Sequence, residues 1–409
     1  MKKNCPTSRF HEFNVNWSAS PASDIFLVET DKGHPELPVL SASQELGMIK
    51  RDNIGINMQY SKQNIASYKR VQPGRFVIHL RSFQGGFAHS AIEGITSPAY
   101  TVLSLREPQK HDDFFWKYLF TSPEFIKRLE LVTYGIRDGR SINVEDFFEL
   151  PFCYPSTQEE QYEIAQFFTR LDTLIATEDM KLSRLKNMKA SSLEKMFPKH
   201  GDTIPQVRFK GFSGEWKEQK LREITQRVTR KNSKLESDLA LTISAHHGLI
   251  AQEDFFNRRI ASSQLQGYFL IKKGEFAYNK SYSSEYPVGA VKSLTEYDKG
   301  VLSTLYIVFS LDSRVDNYWF TSYFETSVWH SEILKRASEG ARNHGLLNIS
   351  PDDFFDIPIL IPINIEEQKR ISGFFSCLDT LISAQEQKLN KLRSLKKSFL
   401  EKMFVNIQN

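Results

Sequence analysis

The sequence is poor in the residues and runs that announce chemistry or a membrane. Its three cysteines, Cys5, Cys153 and Cys377, stand far apart with no Cys-x-x-Cys spacing, so neither a thiolate zinc site nor a dithiol redox motif is readable. No apolar run approaches the roughly 20 residues of a membrane span, and the opening MKKNCPTSRF has none of the apolar stretch of a secretory signal. The expected address is the cytoplasm, with no membrane partner. A Gly-x-x-x-x-Gly-Lys-Ser/Thr loop for nucleotide hydrolysis is missing. So are an Asn-Pro-Pro-Tyr or Asp-Pro-Pro-Tyr tetrapeptide to hold a flipped base, a glycine-rich loop after a strand to cradle a methionyl cofactor, and a persuasive nuclease carboxylate cluster. His246-His247 has no third ligand at a helpful spacing. The chain is therefore expected not to be an enzyme, with no catalytic residue, cofactor or metal of its own.

An excess of one charge is absent too: 53 basic against 49 acidic residues leave a formal +4. That balance permits nucleic-acid binding without announcing it, because a basic groove on one face can be cancelled in the sum by acidic surface elsewhere. The apolar fraction of 40%, with 31 Phe and 15 Tyr among 409 residues, is that of a globular chain of two or three domains.

What is abundant is self-similarity. The segment from Asp146 to Phe197 returns from Asp353 to Phe404, shifted by 207 residues without a gap and identical at 26 of 52 positions. The matches cluster at Asp-Phe-Phe, Glu-Glu-Gln, Phe-Phe, Leu-Asp-Thr-Leu-Ile and Leu-Glu-Lys-Met-Phe, which is duplication and not shared helical composition. Upstream, Pro6, Arg9, Phe10, Phe13 and Trp17 align with Pro205, Arg208, Phe209, Phe212 and Trp216 at an offset of 199. Between these anchors the copies differ freely. The order is variable module, constant helix, variable module, constant helix, with boundaries at 1–155, 156–204, 205–362 and 363–409.

The modules read as mixed α/β. Arg75–Leu80, Thr101–Leu105 and Leu305–Phe309 have the length and the branched or aromatic character of strands; the aromatic-rich stretches Asp112–Leu131 and Asn317–Lys335 read as helical. The constant segments are clearer. Thr157 or Asn364 is followed three positions later by Glu160 or Glu367, the pattern that satisfies free amides at a helix start. Apolar residues then recur at three- and four-residue steps: Leu171, Leu174, Ile175, Leu182, Leu185 and onward, with Leu378, Leu381, Ile382, Leu389, Leu392 in the second copy. Some 40 residues at about 1.5 Å each make a rod of roughly 60 Å. One small domain cannot cover such a stripe, so the two helices are expected to pack together as a coiled coil; an antiparallel pairing is taken as the hypothesis, since helix direction is not readable in the sequence. The basic residues along them, from Lys181 to Lys195 and from Lys388 to Lys397, are either a solvated face or a docking surface for partner helices. The fold class is α+β with a pseudo-two-fold internal repeat.

Two variable modules alternate with two near-identical helices. Each helix is entered through Pro-x-x-x-Glu-Glu-Gln (Pro155 to Gln161, Pro362 to Gln368), followed by Leu-Asp-Thr-Leu-Ile and closed by Leu-Glu-Lys-Met-Phe. This pattern resembles the specificity subunit of type I restriction-modification systems. The resemblance spans essentially the whole chain. Pro205 to Trp216 is typical of the family's module starts, while its counterpart Pro6 to Trp17 lacks the Lys-Gly pair. It implies that each module is a target-recognition domain reading one half of a split, asymmetric site in double-stranded DNA, with the helices setting the unread spacer. It further implies two modification subunits bringing S-adenosylmethionine to methylate adenine, and restriction subunits adding ATP- and Mg-dependent translocation and cleavage. A coiled-coil scaffold for protein partners and a stand-alone nucleic-acid enzyme with an unrecognised site are the rival classes.

Base edges are read by Arg, Asn and Gln, and more permissively by Ser, Thr and His. In the first module the candidates are Ser41, Ser43 and Gln44 on an early loop, Arg81, Ser82, Gln84 and His89 on the loop after a strand, and Arg137 with Arg140 late. The second module offers Ser244, His246 and His247, then Asn279, Lys280, Ser281 and Tyr282, then Arg342 with Asn343. Arg137 and Arg342 recur in both copies and are expected to clamp phosphate, or to be structural, and not to read bases.

Overall fold

The computed structural model describes residues 6–43, 46–54, 62–134, 141–244, 248–256, 265–283, 286–337 and 345–405. The chain divides into two compact units, Met1–Met180 with Glu386–Asn409, and Lys181–Gln385. The division falls inside the constant helices, so each unit holds one variable module together with a part of both helices.

In the first unit, a four-stranded antiparallel sheet runs in the order Phe26–Glu29, Thr101–Leu105, Phe76–Ile78, Ala88–His89. Its strands are apolar on both faces, and the two-residue period sorts them. Phe76, Ile78, Leu103 and Leu105 join an aromatic core with Phe26, Trp116, Phe120, Phe147 and Phe152. Val77 and Val102 point the other way, to a smaller core with Leu40, Met48, Val71 and Ala88 beneath the hairpin Leu40–Ser43/Gly47–Lys50. The second unit repeats the plan, in the order Thr225–Arg227, Ile307–Leu311, Phe276–Asn279, Ala290–Ser293. Phe276, Tyr278, Ile307 and Phe309 face its aromatic core; Ala277 and Val308 face the core under the hairpin Leu241–Ser244/Gly248–Ala251. Each sheet is thus a partition, with large rings toward the helices and a hairpin-bearing layer on the far side.

Each aromatic stretch expected as one helix is two. Asp113–Phe120 and Pro123–Leu131 are separated by Ser122, which caps the second through Phe125 N with proline at its first turn; Asn317–Phe324 and His330–Arg336 are likewise distinct. The strand expected over Leu305–Phe309 is Ile307–Leu311.

The constant helices are Gln158–Met196, 39 residues, and Ile365–Lys402, 38 residues. In the first unit Phe167 packs edge-on against Phe399 and Phe168 stacks on Phe404. Asp172 pairs with Lys396 at 2.5 Å, Asp179 with Arg393 at 3.3 Å, and the buried Glu178 with Lys388 at 3.1 Å. One helix's numbers rise as the other's fall, so the pairing is antiparallel. The second unit shows the same direction, with Lys189 against Asp379 and Phe197 against Phe375. Several of the lysines and arginines expected on a solvated or docking face are therefore engaged across the helix pair.

The helix ends are exchanged. Met403 and Phe404 lie in the aromatic core of the first module and Met196 and Phe197 in that of the second, so the Leu-Glu-Lys-Met-Phe closing each constant helix completes the core of the module that the other helix leaves. Burying such side chains is worth about 1.5–3 kcal/mol each.

Candidate nucleic-acid interface

The loops beyond each sheet are shaped by close backbone approaches. In the first module, the hairpin tip turns at Gly47 with φ +73°, and a Cβ there would stand 2.3 Å from the carbonyl oxygen of His89. Only glycine allows the tip to rest on the strand Ala88–His89. The Ser41 hydroxyl accepts from Arg51 Nε at 3.1 Å and the Ser43 hydroxyl from Leu46 N at 3.2 Å. After Phe76–Ile78 the chain makes a short helical turn, Ser82–Gly85, pinned by the amide of His79 donating to Ser82 Oγ at 2.8 Å. That turn packs against Ser141–Ile142, the arm that follows residues 135–140.

These anchors divide the candidates. Arg81 and Gln84 stand exposed on the turn, and Ser41 and Ser43 are partly exposed on the hairpin. Ser82 is wholly buried as the pin of its turn. His89 is buried between Phe76 and Phe114, its Nε2 2.6 Å from Asp113. Burial pushes the Asp113 carboxyl up, but the hydrogen bond and charge of His89 outweigh it and hold the group below the usual range. Burial and the Arg81 charge together lower the basicity of His79, which leaves Arg81 as the cation of the loop.

In the second module, Asn279 Oδ1 accepts from Ser281 N at 3.0 Å, a turn that presents Ser281 to solvent with Lys280 and Tyr282 half-exposed. Ser281 bridges to Leu346, Leu347 N donates to the Lys280 carbonyl at 2.9 Å and Tyr282 N to that of Gly345 at 3.1 Å. The loop therefore lies beside the chain emerging from residues 338–344. Ser244 is buried at the end of its hairpin strand. Gln44, Arg137, Arg140, His246, His247, Arg342 and Asn343 lie outside the described residues. Among the described residues no three potential metal ligands come together, and no helix is long and apolar enough to cross a membrane.

In each module, then, a strand-end loop lies against a segment adjoining a late loop, and the early hairpin lies on the far layer of the sheet. Two side chains on these loops escape sequence reasoning. Leu46 and Leu80 are 71% and 66% exposed; leucine in a loop beside a strand reads as core, and only the fold shows it turned outward.

No protein-family model and no curated protein matches the chain. Solved structures do. The S subunit of a type I restriction-modification system from M. genitalium aligns with a TM-score of 0.59 at 14% identity, over 99% of this chain and 100% of that one. A chain from a structure concerned with complex assembly and conformational transition of the type I R-M system aligns at 0.52 and 14%, over 96% and 98%. The HsdS subunit from Thermoanaerobacter tengcongensis aligns at 0.45 and 14%, over 96% and 97%. The first establishes the fold: the chain has that of a type I S subunit over 99% of its length.

Proposed function

We propose that the chain is the DNA-specificity subunit of a type I restriction-modification complex, with modules 1–155 and 205–362 as target-recognition domains and segments 156–204 and 363–409 as the helical spacer. The observation that carries this is a repeated frame around unlike loops. Both sheets hold the same layers, yet the loop side chains that reach solvent are Arg81 and Gln84 in one module and Ser281, with the half-exposed Lys280 and Tyr282, in the other. Two frames with different readers suit an asymmetric split site in double-stranded DNA. Arg81 has the paired donors that suit a guanine edge and Gln84 the donor and acceptor that suit an adenine edge, and the exposed Leu46 and Leu80 suit contact with a thymine methyl. Ser82 and His89, being buried and engaged, serve as supports of the reading loop.

The chain supplies recognition and no chemistry. Two modification subunits bring S-adenosylmethionine, and restriction subunits bring ATP and Mg. Their docking is supported by apolar side chains that the helix pair leaves in solvent: Leu174 and Leu381 are 41% and 48% exposed, Met188 and Leu395 45% and 47%. Both pairs are related by the 207-residue repeat, so each unit offers the same apolar patch to one copy of a partner helix.

A genome-wide adenine-methylation map of the host with and without this gene tests the reading. Loss of methylation at one split motif with a fixed spacer is expected. Arg81→Ala with Gln84→Ala should relax only one half-site, and Asn279→Ala with Lys280→Ala only the other, by about 1–3 kcal/mol of discrimination for each bidentate pairing to a base that is removed. An unchanged map, with protein partners retained, would instead favour the scaffold.

A further inference from the structure

Asp172 and Asp379 occupy equivalent places in the two constant helices. Asp172 accepts from the Tyr118 hydroxyl at 3.0 Å and pairs with Lys396 of the other constant helix at 2.5 Å. Asp379 accepts from the Tyr318 hydroxyl at 2.6 Å and pairs with Lys189 at 2.6 Å, and Lys189 also reaches Glu325 at 2.6 Å. Each carboxylate therefore joins three elements of its own unit: the module's aromatic helix, the constant helix that carries the aspartate, and the constant helix packed against it.

The aspartates and lysines are related by the 207-residue shift, but the tyrosines are not repeat mates. The aromatic helices align through their cap residues, Asp112 and Asp316; in that alignment Tyr318 matches Phe114, and Tyr118 matches Ser322. The hydroxyl is delivered from one helical turn further along in the first module than in the second, and still reaches the equivalent carboxylate. A residue shared by two copies can be mere inheritance. A contact rebuilt from a different position marks the contact itself as what both modules need.

The place of the contact indicates the need. Each module is already fastened near the start of its constant helix. Glu160 holds Arg9, and Gln161 accepts from Asp112 N at 2.9 Å and donates to the Pro155 carbonyl at 3.0 Å; Glu367 with Arg208 and Gln368 with Asp316 N and the Pro362 carbonyl repeat this. Asp172 lies 11 residues beyond Gln161, about 16 Å along the helix. The aromatic core continues the attachment along the helix, to Phe168 in the first unit and Leu378 in the second; apolar packing is non-directional, and a directional hydrogen bond about three turns from the first fastening fixes the angle.

We infer that Asp172 and Asp379 are positioning residues that hold each recognition module at one angle on the helix pair and thereby restrict the protein to a single spacer length. The inference rests on the DNA-specificity reading above. A spacer altered by one base pair moves a half-site by about 3.4 Å and turns it by about 34° around the duplex, so a module must both rock and turn on the helix pair to follow it.

The test is the host methylation map for Tyr118→Phe, Asp172→Asn, Tyr318→Phe and Asp379→Asn. Both half-site sequences should stay as in the parent, while methylation at motifs with a spacer one base pair longer or shorter rises on the order of fivefold, a figure discounted for the partial exposure of these groups. The double exchange Asp172→Lys with Lys396→Asp should bring back part of the single-spacer restriction. Uniform loss at all sites with no new spacer class, in variants whose thermal melting is unchanged, would overturn the inference and leave a purely structural contact. Tyr118→Phe removes one oxygen only, and decides the matter if an aspartate variant fails to fold. A parent map without any split motif would refute the DNA-specificity reading itself, a different result from a split motif whose spacer stays rigid in every variant.

Discussion

Glu160 and Glu367 are 2% and 1% exposed, and each is gripped by an arginine about 150 residues earlier in the chain, Arg9 at 2.6 and 2.7 Å and Arg208 at 2.6 and 2.8 Å. Removing one partner of a buried ion pair strands the other, at about 3–5 kcal/mol. The two sites differ in one respect: Trp17 Nε1 also donates to Glu160 at 3.1 Å, whereas Trp216 Nε1 has no acceptor among the described residues. Glu160→Ala should therefore destabilise its module by about 1 kcal/mol more than Glu367→Ala does, as read from urea unfolding followed by module-specific hydrogen exchange. Glycine supplies a second contrast. Gly248 and Gly289 both have left-handed backbones, φ +77° and +79°, but a Cβ on Gly289 would lie 2.1 Å from the Asn279 carbonyl oxygen while one on Gly248 meets no described atom within 4 Å. Alanine at 248 should cost about 1–2 kcal/mol, and alanine at 289 clearly more, with a shifted Asn279 loop visible in the amide spectrum. Single-residue roles of this kind are only partly legible in sequence. Arg81 and Gln84 are exposed, as their polar loop suggests, whereas Ser82 and His89 are carried inward because Gly86, φ +81°, lets the chain pass against the backbone of Phe120; no local pattern announces that approach.

At the scale of elements, periodicity defines the constant helices and their apolar stripe, but a stripe names a face and not what covers it. The helix starts show the same limit. Thr157 Oγ1 accepts from Glu160 N at 3.4 Å and Asn364 Oδ1 from Glu366 N at 2.9 Å, so the caps form as expected. The glutamates that would close a reciprocal capping box are instead committed to Arg9 and Arg208. The exchanged helix ends are equally hidden, because identical closing motifs carry no mark of which module they enter. Their consequence is testable. Phe404 is 4% exposed and lies 5.6 Å from Phe115; Phe197 is 1% exposed and lies 5.9 Å from Trp216. Phe404→Ala should loosen the first module and leave the second firm, although residue 404 is far closer in sequence to the second; Phe197→Ala should do the reverse. A loss of about 3–5 kcal/mol is expected at each site. Limited proteolysis with the fragments identified by mass gives the answer directly, and cleavage of the second module in Phe404→Ala, with the first left intact, would show the exchange to be wrong.

For the molecule as a whole, duplication is the most legible property, since identity at fixed spacing needs no knowledge of packing. The compact units are not legible, because they group residues from both ends of the chain and divide within helices that look continuous in sequence. That grouping has a consequence for recombination. The frame contacts are matched across the copies: Arg9 to Glu160 as Arg208 to Glu367, Phe10 to Phe167 as Phe209 to Phe374, and Phe168 to Phe404 as Phe375 to Phe197. A second copy of residues 1–155 placed where 205–362 now stand would therefore meet the anchors it already uses. Such a chain should fold and, under the specificity reading, direct methylation to a motif made of the first half-site twice. A methylation map of a host carrying only this chain reads the result. Persistence of the original second half-site would place its recognition outside residues 205–362.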